Sequence, residues 1–113
     1  MTECCDILIA GGGIAGLTAA AAFGTAGFDV VCVDPAPPIT ARDAKGADMR
    51  TTAMLQPARK VLEAAGVWAR LAPHAAPLQI MQIIDAGGEA PEPRVSRAFD
   101  AADISDQPFG RNF

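Results

Sequence analysis

The sequence predicts an α/β fold in which a strand, a Gly-rich turn and a helix form one unit, with a β-hairpin later in the chain. Three observations carry this. Ile7 to Ala10 are apolar without alternation, as in a parallel strand covered on both faces. Gly11, Gly13 and Gly16 then satisfy G-x-G-x-x-G ahead of an Ala-rich stretch. A second apolar run, Val30 to Val33, ends on Asp34, 18 residues beyond Gly16. Strand, turn, helix, strand and terminal acid in that order predict a partial, Rossmann-like dinucleotide-binding unit.

Each residue type in that pattern has a chemical reason. Gly11 allows the tight turn, Gly13 lets the backbone approach a pyrophosphate, and Gly16 lets the following helix pack closely on the strand. The backbone N–H groups of Gly13, Ile14 and Ala15 would then face the phosphates at the helix N-terminus, where the macrodipole favours negative charge. Asp34 is placed to accept a ribose 2′-hydroxyl and would repel a 2′-phosphate, which favours FAD or NAD over NADP.

Taken in order, the first helix is expected from about Ile14 to Ala26, closed by Gly27. Pro35, Pro37 and Pro38 exclude regular structure after the second strand. The polar stretch from Ile39 to Met49 reads as a loop of the kind that closes over a ligand. A second helix is expected between about Thr52 and Ala65, with Leu55, Ala58, Leu62 and Ala65 on one face, Arg59, Lys60 and Glu63 on the other, and Gly66 as its stop. Val67 to Leu71 adds a short turn in which Trp68 packs. From Leu78 the period changes: Ile80 to Ile84 reads as a strand, Ala86 to Glu89 as a turn and Arg94 to Phe99 as a return strand, which Pro91 and Pro93 place late or at an edge. The tail from Ala101 to Phe113 shows no closing element.

Composition narrows the function classes. The 113 residues suffice for one domain with a modest core, and half are hydrophobic. The net charge is −4 with nine scattered Lys and Arg, which excludes a nucleic-acid surface. Cys4, Cys5 and Cys32 make no disulfide framework and read as small, reduced, mostly buried residues. Metal-ligand spacing is absent, and His74 lies in a Pro-flanked loop. The uncharged run from Ile7 to Phe28 is long enough to span a bilayer, but six glycines interrupt it and its N-terminal flank, Glu3 and Asp6, is acidic. It reads as buried strand and helix, which points to a cytoplasmic chain.

The sequence resembles the N-terminal portion of FAD-dependent aromatic hydroxylases, most closely the 2-polyprenyl-6-methoxyphenol hydroxylase-like enzymes of ubiquinone biosynthesis. The resemblance rests on Asp6 to Leu17, Asp34, Asp48 to Leu55, Leu62 to Trp68, and Ala76-Pro77-Leu78 leading into the hairpin. It implies FAD as cofactor, NAD(P)H and O2 as co-substrates, a phenolic small-molecule substrate and a parent enzyme that can sit peripherally on the inner face of a membrane. It divides the chain into residues 1–77, the N-terminal part of an FAD-binding domain, and residues 78–113, the start of a substrate-domain sheet. Arg50 matches an arginine that lies beside FAD in such enzymes; the residues alone also allow it to pair with Asp48 or Asp43. No catalytic residue is implied within this stretch. The family's later Asp-Gly and Gly-Asp motifs do not occur, so the chain reads as a truncated fragment. Two other readings are an FAD-dependent amine or amino-acid oxidase fragment and a stand-alone, non-catalytic nucleotide-binding module.

Overall fold

The computed structural model describes residues 4–89 and 92–113; Glu3 and Pro91, weighed above, lie outside them. β1 (Ile7–Ala10) runs into α1 (Ile14–Thr25) and then into β2 (Val30–Val33), which pairs parallel to β1 with Ile7 opposite Val30 and Ala10 opposite Val33. The return is made at Gly27, whose φ of +95° a side chain would strain. There the Phe28 N–H donates to the Phe23 carbonyl and the Gly27 N–H to the Gly24 carbonyl. This is a Schellman closure, and its apolar contact is the edge-on pair of Phe23 and Phe28, 6.1 Å between ring centroids.

After an irregular stretch come β3 (Ala53–Leu55), α2 (Gln56–Ala64) and α3 (Trp68–Leu71), followed by β4 (Ala76–Leu78), the hairpin of β5 (Ile80–Asp85) and β6 (Val95–Asp100), and β7 (Gly110–Asn112). Two expectations are corrected. Ala53 to Leu55 are strand rather than the first turn of the second helix, because they find a hydrogen-bonding partner in β7 and because Pro57, at the second helical position, fits a helix start. The tail does contain an element: β7 is the middle strand of a three-stranded antiparallel sheet, between β3 and β4. That sheet draws strands from both sides of residue 77.

α2 ends as the apolar pattern requires, with Gly66 at φ +75° and a second Schellman closure from the Val67 N–H to the Leu62 carbonyl. Leu62 on its inward side and Ala65 at its C-cap are, with Ala101, the buried apolar residues among those described. The Thr25 hydroxyl donates to the Ala65 carbonyl at 2.9 Å and ties the end of α1 to the end of α2. Trp68 packs edge-on against Phe113 and lies under the Arg59 guanidinium, while Arg59 also pairs with Glu63 at 2.7 Å.

The expected burial of the first unit is not met. α1 packs on β1, β2 and α2, yet none of its residues is buried, and Leu8 is 65% exposed. The two-stranded sheet is covered by α1 on one side, and no second layer covers the other among the described residues. The accessible surface is 8875 Å² and the radius of gyration 18.7 Å. A compact monomer of this mass would show about 5,800 Å² and about 13 Å. The cysteines follow suit: Cys4 is exposed, and Cys5 and Cys32 are only half-buried.

Candidate nucleotide-binding site

The Gly-rich turn joins the C-terminal end of β1 to the N-terminus of α1, and Asp34 stands at the adjoining end of β2. Gly11 takes φ +115° and its N–H donates to the Val33 carbonyl at 2.7 Å, which fastens the turn to the neighbouring strand. A Cβ on Gly16 would overlap the Gly11 carbonyl oxygen and approach Ile9 Cγ2 to 3.4 Å, so helix and strand meet there backbone to backbone. A Cβ on Gly13 would meet nothing within 4 Å. That side of the turn is open, as the approach of a diphosphate requires. No side chain caps α1 and no acid lies in its first turn, so its leading N–H groups and dipole are uncompensated.

Asp34 is drawn into the same turn. Its Oδ2 accepts the Gly12 N–H at 2.7 Å and its Oδ1 accepts the Ala36 N–H at 3.0 Å. Those two bonds, Gly12 first, hold the carboxyl below the usual carboxylate range, so it is ionised at neutral pH. A carboxylate has about four lone-pair sites, so capacity for ribose hydroxyls remains. Gly12 was missed in the sequence, where it fills an x position of the motif. A Cβ there would come within 3.2 Å of Asp34 Cβ. The available signal was the unbroken triplet Gly11-Gly12-Gly13, in which the middle glycine has no role in the motif itself.

Arg50 lies elsewhere in its allegiance. Its Nε and Nη2 donate to Asp48 at 2.9 and 2.7 Å, its own N–H donates to Asp48 Oδ1, and its side chain is 87% exposed. The guanidinium pulls the Asp48 carboxyl down to about 2. Arg50 nevertheless borders the same region as α1: with Ile14, Leu17, Met54, Leu62 and Phe113 it lines a largely apolar cavity of about 480 Å³. Gly11, Gly13, Ile14, Ala15, Gly16 and Asp34 thus form one cluster, and Arg50 stands at the rim of the cavity beside it.

The donor set suits an anionic dinucleotide better than a metal or an acid–base reaction. Its unpartnered groups are backbone N–H donors at a helix start, and its one acid is stabilised as an anion.

The FAD binding domain family matches residues 4–107 of the chain. Among curated proteins the chain is similar to the ubiquinone hydroxylase UbiL of Rhodospirillum rubrum, 34% identical over 82 residues, covering 73% of this chain and 19% of that protein. The chain therefore spans about one fifth of the length of the curated relative it matches.

Proposed function

The chain belongs to the FAD binding domain family, and from that premise we propose that it is a Rossmann-like segment holding the AMP end of FAD in a flavin-dependent monooxygenase. The proposed reaction is hydroxylation of a phenolic, polyprenyl ubiquinone precursor with NAD(P)H and O2, in keeping with the R. rubrum relative being a ubiquinone hydroxylase. The observation that supports the cofactor placement best is the Gly12 N–H to Asp34 hydrogen bond, which sets the acid against the Gly-rich turn and the uncapped start of α1.

In this reading Gly13, Ile14 and Ala15 present backbone N–H groups to the diphosphate, Gly11 and Gly16 hold the turn against β1 and α1, and Asp34 accepts from the adenosine ribose. Arg50 faces the flavin side of the cofactor. FAD, when bound, supplies the redox chemistry that activates oxygen. This stretch orients it and needs no acid or base of its own. Among the described residues no helix is long and apolar enough to cross a membrane. We place the protein in the cytoplasm, with peripheral contact to the inner face of a membrane, where a polyprenyl phenol would partition.

Gly13→Val in the flavoprotein carrying this segment tests the placement. A side chain at Gly13 meets no protein atom within 4 Å, so the fold should persist while the diphosphate is excluded. The expected product is a folded, colourless apoprotein. A yellow protein with stoichiometric flavin would reject the assignment.

A further inference from the structure

We propose that Cys32 is a positioning residue of this site, holding the Gly11–Gly12 peptide in the orientation that sets Asp34 against the turn; the proposal rests on the reading above. The Cys32 thiol lies 3.6 Å from the Gly11 carbonyl oxygen. A carbonyl oxygen only accepts, so the thiol is the donor. The Gly12 N–H, which donates to Asp34 Oδ2 at 2.7 Å, belongs to the same peptide unit. In a planar trans peptide the C=O and N–H point in opposite directions. One peptide plane is therefore held at both edges, by a donor on Cys32 and an acceptor on Asp34, two residues apart at the end of β2. Between them the Val33 carbonyl accepts the Gly11 N–H at 2.7 Å.

The hold matters because this peptide joins two glycines. With no side chain on either, and Gly11 at φ +115°, little in the local chain opposes its rotation. A turned peptide would lose both bonds and present its carbonyl to the Asp34 carboxylate. Among the described residues the thiol is the hydrogen-bond donor that the Gly11 carbonyl finds, and the backbone of α1 at Gly16 crowds the same oxygen from another side. The rest of β2 is valine, at Val30, Val31 and Val33. Valine at position 32 would suit the strand equally well but bring no donor. Cys32 touches no ligand in this arrangement; it acts through the peptide that fixes the ribose-binding acid.

The test uses the 113-residue protein. Cys32→Ala and Cys32→Val remove the donor with a smaller and a larger side chain, and Cys32→Ser keeps one. NMR reads the Gly11 carbonyl ¹³C and Gly12 amide signals, and titration with ADP and FAD to millimolar concentration reads affinity. Both donor-free variants should shift the two signals and weaken ADP and FAD binding about two- to fivefold, the lower part of what a neutral hydrogen bond contributes. Cys32→Ser should return both readouts toward wild type. Signals that stay in place in Cys32→Ala and Cys32→Val, or that shift while affinity is kept, would overturn the positioning role, as would a Cys32→Ser protein indistinguishable from Cys32→Ala. The bond is also read without changing Cys32: in a Cys4→Ser, Cys5→Ser protein it is the remaining thiol, and its S–H stretching band should lie below that of a free thiol. A band at the free-thiol position would overturn the bond. The Gly13 and Ile14 amides report the nucleotide independently. If they respond to ADP while the Cys32 variants bind as wild type does, the nucleotide site stands and the role of Cys32 falls. If ADP and FAD move no amide of the turn, both readings fall.

Discussion

Gly16→Ala isolates the close approach on which the whole turn depends. Helix propensity alone would favour alanine there by about 1 kcal/mol. Against that gain, the new Cβ would overlap the Gly11 carbonyl oxygen, stand 3.0 Å from its carbon and 3.4 Å from Ile9 Cγ2. Two of those three atoms are backbone and cannot rotate aside, so α1 must lift from β1 or the turn must open. Overpacking of this kind costs about 1–3 kcal/mol, and the rigid neighbour argues for the upper part of that range. The net loss is then roughly 1–2 kcal/mol, a fall in Tm of about 4–8 °C for a chain of this size. Gly24→Ala is the matched control, since it lies in the same helix and its Cβ would meet nothing within 4 Å. It should gain about 0.5–1 kcal/mol and raise Tm by a few degrees. Thermal unfolding followed by circular dichroism at 222 nm compares the two directly. A Gly16→Ala protein melting at or above wild type, alongside Gly24→Ala, would refute the backbone-contact argument.

Four further outcomes follow from the same geometry. Asp34 titrates below 3.8 because the Gly12 and Ala36 N–H groups favour its ionised form; its contribution to stability is present above 3.8 and is lost as pH falls through the lower folded value. Carbon-detected NMR should show that depressed midpoint, Asp34→Asn should remove this part of the acid sensitivity, and a midpoint at or above 3.8 would contradict the two bonds. Asp34→Ala should weaken FAD binding by roughly ten- to a hundredfold, and an unchanged affinity in a fluorescence titration would take the acid off the ribose. Gly110→Ala would drive a Cβ into the Met54 carbonyl oxygen and to 2.7 Å from Leu55 Cα; amide exchange at Thr52 and Gln56, which donate to the Phe113 and Phe109 carbonyls on either side of β7, should accelerate, and preserved protection there would show that β3 and β7 are not packed this closely. Arg50→Ala should let the Asp48 carboxyl rise from about 2 toward its ordinary 3.8, with little change in stability because the pair is exposed.

Local signals were legible where chain geometry is local. Gly27 and Gly66 each mark a helix end, and both prove to be left-handed caps closed by a contact five residues back. The hairpin is visible in the apolar strand Ile80 to Ile84 and the glycines after it, and β5 and β6 pair with Ile80 opposite Asp100 and Asp85 opposite Val95. Ala53 to Leu55 misled because a three-residue strand carries no period of its own, and their helical spacing with Ala58 and Leu62 continues into α2. Only pairing with a strand more than fifty residues away separates the two readings.

The Gly-rich turn, its helix and Asp34 were determined by the sequence itself, because G-x-G-x-x-G and a strand-terminal acid encode backbone freedom and charge that few other arrangements use. Tertiary structure alone decided three things. Gly12, a residue without a role in the motif, carries the bond to Asp34. Arg50 turns to Asp48, a neighbour two residues away that competes with any ligand for the same donors. Arg111, from a tail with no readable period, becomes the centre of a sheet beside the cavity. The first and last depend on which distant backbone comes to lie alongside, which local spacing does not record, whereas for Arg50 the structure selects Asp48 from the two nearby acids that the residues alone allowed.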